Sequence, residues 1–231
     1  MICFEGIDGS GKSTLGALLA QAIASRGQDC SFVERKSPEF PKAYQTQRMT
    51  LFREVIWEYG DDPIQELGDL HSLYIMAGWF AALDVAKIQP LLKQGSFVVL
   101  DNWYYKFAAR YALKSTVSFQ HVEDCFAHLH TPDHVVLLDV DPELALRRKD
   151  QFNLAEIGAL DGLSSSPAQD FVRYQQRVRD VLLGFAKQHG WVVVTVGRRT
   201  PSDVLEEVLE RLRLHGHSKG ALLHGSPACD V

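Results

Sequence analysis

The sequence predicts an α/β fold in which a five-stranded parallel sheet is covered by helices on both faces. Three observations predict it. Short, nearly continuous apolar runs recur along the chain, as expected of strands buried on both sides. Between them stand longer stretches with helical periodicity, and that alternation is the mark of a parallel sheet with crossover helices. The first apolar run leads at once into a glycine-rich segment and then a helical pattern, the strand–loop–helix order that opens many doubly wound sheets.

The elements follow in order. Met1-Ile2-Cys3-Phe4-Glu5 reads as the first strand, and Leu15 to Ser25 as the helix after the glycine-rich loop, ending near Arg26-Gly27. Cys30-Ser31-Phe32-Val33 reads as the second strand, and Ser37-Pro38-Glu39-Phe40-Pro41 as a proline-marked loop. Tyr44 to Tyr59 reads as a helix broken by Asp61-Asp62-Pro63. Leu67 to Lys93 carries a long helical pattern, interrupted at most near Gly78 and Pro90. Phe97-Val98-Val99-Leu100 is a buried strand ending at Asp101, and helices follow through Leu113 and over Gln120 to Leu129. His134 to Asp139 is the fourth strand. Asp141 and Pro142 form an N-cap and first-turn pair for a helix through Arg148. The polar stretch 149–168, chiefly Phe152 to Ala168, reads as a mobile lid. Gln169 to Gln188 is helical, Trp191 to Val196 the fifth strand, and Pro201 to Leu214 the last helix. Residues 1–214 therefore read as a single domain. Residues 215–231 lose periodicity and read as a disordered tail, so His215, His217 and His224 are not expected to bind metal.

Composition bounds the function. The chain has 231 residues, 46% hydrophobic and 23% charged, with a net charge of −5. That charge argues against a broad nucleic-acid footprint, which needs a basic surface. Cys3, Cys30, Cys125 and Cys229 form no C-x-x-C pair, so reduced thiols in a cytoplasmic protein are the expectation. With the first strand beginning at Met1, no secretory signal is expected. No apolar run approaches the length of a membrane span, so no membrane association is expected either. The oligomeric state stays open, a homodimer included.

Gly6-Ile7-Asp8-Gly9-Ser10-Gly11-Lys12-Ser13 fits the phosphate-binding pattern G-x-x-x-x-G-K-[ST] in full, in its required strand–loop–helix context. The fold class is thus a P-loop NTPase three-layer sandwich with a lid segment. The glycines, with Ser10, let backbone N–H groups curl around a β-phosphate. Lys12 can reach the β- and γ-phosphates, the Ser13 hydroxyl can hold Mg²⁺, and Thr14 supports the first helical turn. ATP and Mg²⁺ are therefore expected. A guanine-reading Asn-Lys-x-Asp is not found. A binding-only nucleotide module is not excluded by the loop alone.

Ligands of open α/β sheets bind beyond the carboxyl ends of the strands. Asp101 stands at such an end. It can act on an acceptor hydroxyl or hold a Mg²⁺-bound water, the alternative being a cap for the following helix. Asp139 and Asp141 favour structural roles.

On these residues the chain resembles the thymidylate kinase family. Phe4 to Thr14 is similar to that family's loop nearly letter for letter, Leu138 to Arg148 to its fourth-strand signature, and Asp170-Phe171 with the arginine-bearing helix after it to its segment behind the lid. The resemblance runs from about Ile2 to Leu214. It implies transfer of the γ-phosphoryl of ATP to a pyrimidine nucleoside monophosphate. Asp8 would approach the acceptor sugar's 3′-hydroxyl, and Arg48 lies near the family's phosphate-reading arginine. Gly9 sits where some members carry a catalytic arginine, so Arg147, Arg148 or Lys149 would supply that charge from the lid side; a solvated basic helix end is the other reading. Arg198 and Arg199, after the last strand, would lie by the adenine.

The acceptor half departs from the family. Its Asp-Arg-Tyr becomes Asp101-Asn102-Trp103, and Asn102 has neither the charge nor the fork of arginine. Aligned on Pro90, Met76 and Phe80 fall where the family reads thymine. Two explanations stand. Lys106 or Arg110 supplies the missing charge, and the acceptor is still a monophosphate. Or the acceptor carries no phosphate, and the chain acts on a nucleoside or another small hydroxyl compound. Phe80 and Trp103 belong to an aromatic group that can stack on a planar ring or simply fill the core.

Overall fold

A computed structural model describes residues 1–37, 39–58, 60, 64–149, 151, 155–158 and 166–214. Most of the expected lid, and all of the expected tail, lie outside these residues. The sheet has five strands, β1 (Ile2–Glu5), β2 (Cys30–Val33), β3 (Phe97–Leu100), β4 (His134–Asp139) and β5 (Val192–Thr195). They lie in the order β2-β3-β1-β4-β5, and every pairing is parallel. All five expected strands are present, because each run of Val, Ile, Leu and Phe is apolar on both faces.

The sheet separates two apolar layers. Ile2, Phe4 and Val99 pack with α1 (Lys12–Ala24) and α9 (Pro201–Arg211). Met1, Cys3, Val98 and Leu100 pack on the other side with α3 (Asp69–Leu83), α5 (Tyr105–Ala112) and α6 (Phe119–Phe126). Helix α2 (Ala43–Trp57) lies against α3, and α8 (Pro167–His189) against α5 and α7 (Pro142–Leu146).

Local chemistry sets the helix ends. Asp141 caps α7, its carboxylate accepting from the Glu143 and Leu144 N–H groups at 2.8 and 3.3 Å, with Pro142 in the first turn. Thr200 and Asp203 form a reciprocal capping box at α9. The long helical pattern is unbroken at Gly78. It widens instead into a π turn at Asp84–Ile88 before continuing as α4 (Gln89–Lys93). Pro90 explains the place: it lacks the N–H of a regular turn and its ring crowds the preceding carbonyls.

This run, Asp69–Lys93, corrects one expectation, since by length and composition it is long and apolar enough to cross a membrane. Part of its apolar character faces inward, with Leu73, Trp79, Phe80, Leu83 and Ile88 fully buried, while Leu70, Tyr74 and Val85 are exposed. Among the described residues Cys3, Cys30 and Cys125 are free thiols.

Candidate active site

The glycine-rich loop leaves β1 and turns into α1. Gly11 is the N-cap at φ 96°, and Gly9 has φ +80°. A Cβ on Gly9 would stand 2.9 Å from the Ala145 carbonyl, so this loop path has no room for a side chain there. The Lys12 ammonium is turned onto its own loop, donating to the Gly6 and Ile7 carbonyls at 3.0 and 2.7 Å and to Ser10 Oγ at 3.2 Å. Burial lowers its pKa, against the pull of Asp8, Glu5 and Asp101. Ser13 and Thr14 are exposed at the loop's mouth.

Strand β3 lies beside β1, with Cys3 opposite Leu100, and so delivers Asp101 to the same mouth. The Ser13 hydroxyl donates to Asp101 Oδ2 at 2.9 Å, and the Arg35 N–H donates to Oδ1 at 2.8 Å. Asp101 therefore does not cap α5, whose N-cap is Tyr104. A hydroxyl and a carboxylate this close are hard oxygen donors of the kind that suit Mg²⁺.

Next to the loop opens a cavity of about 490 Å³. Asp8 lines it. Lys106 Nζ donates to Asp8 Oδ1 at 2.7 Å and Arg110 to Oδ2 at 2.8 Å, while Gln175 accepts from the Asp8 N–H at 3.1 Å. Burial alone would raise the Asp8 carboxyl, but Lys106, Arg110 and Lys12 outweigh it and hold it well below the usual range. Burial likewise pushes Lys106 down against the attraction of Asp8.

Arg35, just past the carboxyl end of β2, also lines the cavity. It is fixed from three sides. Its N–H reaches Asp101, its carbonyl accepts from Trp79 Nε1 at 3.0 Å, and its guanidinium lies over the Trp57 and Phe107 rings at 5.3 and 5.0 Å. Among the described residues, five cationic side chains line the cavity, Arg35, Lys36, Lys106, Arg110 and Lys114, against three carboxylates, Asp8, Asp69 and Glu156. The described lining thus carries an excess of two positive charges. The rest of the wall is largely apolar, from the end of α2, residues 64–67, and α3.

The sequence-selected residues divide sharply. Gly9, Ser10, Gly11, Lys12, Ser13, Thr14, Asp8, Asp101, Lys106 and Arg110 converge on the loop and cavity. Arg148 joins them from the donor side, donating to the Gly9 carbonyl at 3.4 Å and the Gly197 carbonyl at 2.9 Å. Arg147 is exposed beside it. Arg48 does not come to the cavity and is exposed on α2. Phe80 and Trp103 are fully buried, their rings 5.2 Å apart between the sheet and α3, and neither lines the cavity. Arg199 is turned to α9, 2.5 Å from Glu207, while Arg198 is exposed. Arg35 was missed. Its signal was available, because it stands two residues past a strand's carboxyl end.

The thymidylate kinase family model matches residues 4–208. The chain belongs to the thymidylate kinase family. A probable thymidylate kinase 2 of Saccharolobus solfataricus is 29% identical over 209 residues, covering 88% of this chain and 91% of the relative. A thymidylate kinase of Chlorobium chlorochromatii is 27% identical, covering 93% and 96%. One of Jannaschia sp. is 34% identical over 152 residues, covering 64% and 67%. Position 102, where the resemblance implies an arginine, holds an asparagine. Asn102 is 1% exposed and turned away from the cavity, donating to Glu5 Oε2 at 2.7 Å.

Proposed function

We propose that this chain transfers the γ-phosphoryl group of ATP to a pyrimidine deoxynucleoside monophosphate, thymidylate first among them. The observation that carries the reading is the cationic excess of a cavity opening beside the phosphate loop. An uncharged nucleoside has no need of it, whereas a phosphate monoester arrives with nearly two negative charges. Lys106, Arg110 and Arg35 are the residues placed to meet that phosphate, and together they replace the arginine that Asn102 lacks.

In this reading Lys12 leaves its own loop carbonyls for the β- and γ-phosphates of the donor. Ser13 and Asp101 would hold Mg²⁺, which when bound neutralises charge on those phosphates. Asp8 stays ionised and accepts a hydrogen bond from the acceptor's 3′-hydroxyl. Its low pKa suits holding that hydroxyl, which keeps its proton because the attacking atom is an oxygen of the acceptor's phosphate. Arg148, held against the Gly9 carbonyl, is the cation nearest the donor loop from the lid side, with Arg147 beside it. Positioning and charge neutralisation then carry most of the rate. Residues 1–214 act as one domain with 149–168 as its lid, and free thiols fit a cytoplasmic location.

The test is an ADP-release screen with Mg²⁺-ATP against thymidine and deoxyuridine monophosphates, other pyrimidine monophosphates and the free nucleosides. Turnover with thymidine monophosphate is expected. Turnover only with unphosphorylated acceptors, or ATP binding without any acceptor-dependent ADP, would overturn the proposal.

A further inference from the structure

Glu5 is the last residue of β1, immediately before the phosphate loop, and its side chain is fully buried. The β1–β3 ladder pairs Ile2 with Val99 and Cys3 with Leu100. Beyond that point the Glu5 carboxylate continues the link between the two strands by itself. Oε1 accepts from the Trp103 N–H at 2.9 Å, and Oε2 accepts from Asn102 Nδ2 at 2.7 Å. The same Asn102 amide donates to the Trp103 carbonyl at 3.0 Å, which closes the turn on itself. Asp101 and Asn102 project to opposite sides of the chain: one side chain meets Ser13 and Arg35, the other meets Glu5.

We infer that Glu5 is a positioning residue for phosphoryl transfer, acting through the Asn102–Trp103 main chain to aim Asp101 at Ser13. A buried carboxylate is a costly way to hold a turn unless its place matters. Here burial raises its pKa to about 7, while the Trp103 N–H, Lys12, Lys106 and Asn102 favour the charged form. The substitution at position 102 gives the arrangement its shape. A short amide fits between Glu5 and the Trp103 carbonyl, and it draws the residue away from the acceptor.

The inference rests on the role given to Asp101 above, and a double-mutant cycle separates the two. Glu5→Gln should keep kcat within about threefold. Its amide oxygen can still accept from Trp103, and its amide nitrogen can donate to Asn102 Oδ1 once that amide turns over. That oxygen has no hydrogen-bond partner among the described residues. Glu5→Met breaks both bonds and should lower kcat about 100-fold, with the KM values for ATP and acceptor within threefold. On an Asp101→Asn background, Glu5→Met should cost less than threefold further, because the residue it acts through is already disabled. If Glu5→Met does not fold, Asn102→Leu takes its place, with an expected tenfold loss of kcat and the same non-additivity. Additive losses, or a fully active Glu5→Met or Asn102→Leu, overturn the inference. A fully active Asp101→Asn enzyme instead overturns the role of Asp101.

Discussion

Replacing Lys106 by Met tests the acceptor site most directly. The Lys106 side chain is 3% exposed and its ammonium lies 2.7 Å from Asp8. The change keeps the length of the stem, removes one charge and halves the cavity's cationic excess from two to one. Truncating one partner of a buried, hydrogen-bonded charge pair costs about 2–4 kcal/mol, and about 1.4 kcal/mol is a factor of ten. The expected result is a loss of kcat/KM for thymidine monophosphate of roughly 30- to 1,000-fold. Folding should suffer less. Asp8 keeps Arg110 at 2.8 Å and the Gln175 amide at 3.3 Å, so it is not left as an uncompensated buried charge. A loss of about 1–2 kcal/mol corresponds to a Tm lower by roughly 2–8 °C. The assay is steady-state ADP release with the acceptor varied at saturating ATP, beside thermal unfolding and an ATP-binding titration. A kcat/KM within threefold of the parent, or an equal loss in ATP affinity, would refute the placement of the acceptor phosphate at Lys106.

Other outcomes follow from the same geometry. Lys12→Ala should abolish transfer in the ADP-release assay, because no other side chain of the loop reaches the phosphates with a charge. Glu5 makes stability depend on pH: its folded pKa of about 7 lies above the ordinary 4.5, so its contribution is present below about pH 4.5 and lost as pH rises through 7. Glu5→Gln should therefore gain stability relative to the parent between pH 5 and 8, by about 2–3 kcal/mol, in denaturant titrations across that range. Asp141→Ala removes the α7 cap and should cost about 1 kcal/mol in the same titrations, with kcat unchanged.

Strands and caps were legible because their signals are local. The run Phe97–Leu100 needs only its own side chains to be a buried strand, and Asp141-Pro142 carries its cap in two adjacent residues. The donor loop is legible for the same reason. The acceptor site is assembled from distant parts, and there the sequence misleads. Arg48 stands after the proline loop but on the solvent face of α2, while Arg35 is carried inward by the end of β2. Counting back from Pro90 to Phe80 passes through the π turn, which adds a residue to one turn and rotates the helix face. Phe80 therefore lands in the core, where Trp103, brought from the turn after β3, packs against it. Glu5 looked like the tail of a strand because nothing near it in sequence reveals that Trp103 and Asn102 come to meet it.

The groups that would handle phosphate hang from the ends of β1, β2 and β3 and from the first turns of α5, all braced by the sheet. The surfaces left to meet a base come from the end of α2, residues 64–67 and the start of α3, which contribute no strand. Except at Arg35, which Trp57 of α2 and Trp79 of α3 also hold, selectivity and chemistry are thus mounted on separate supports. Substitutions between Val55 and Met76, Trp57 apart, can change which ring is accepted while the phosphate loop keeps its shape, so an altered acceptor preference is open to this chain without rebuilding its transfer machinery.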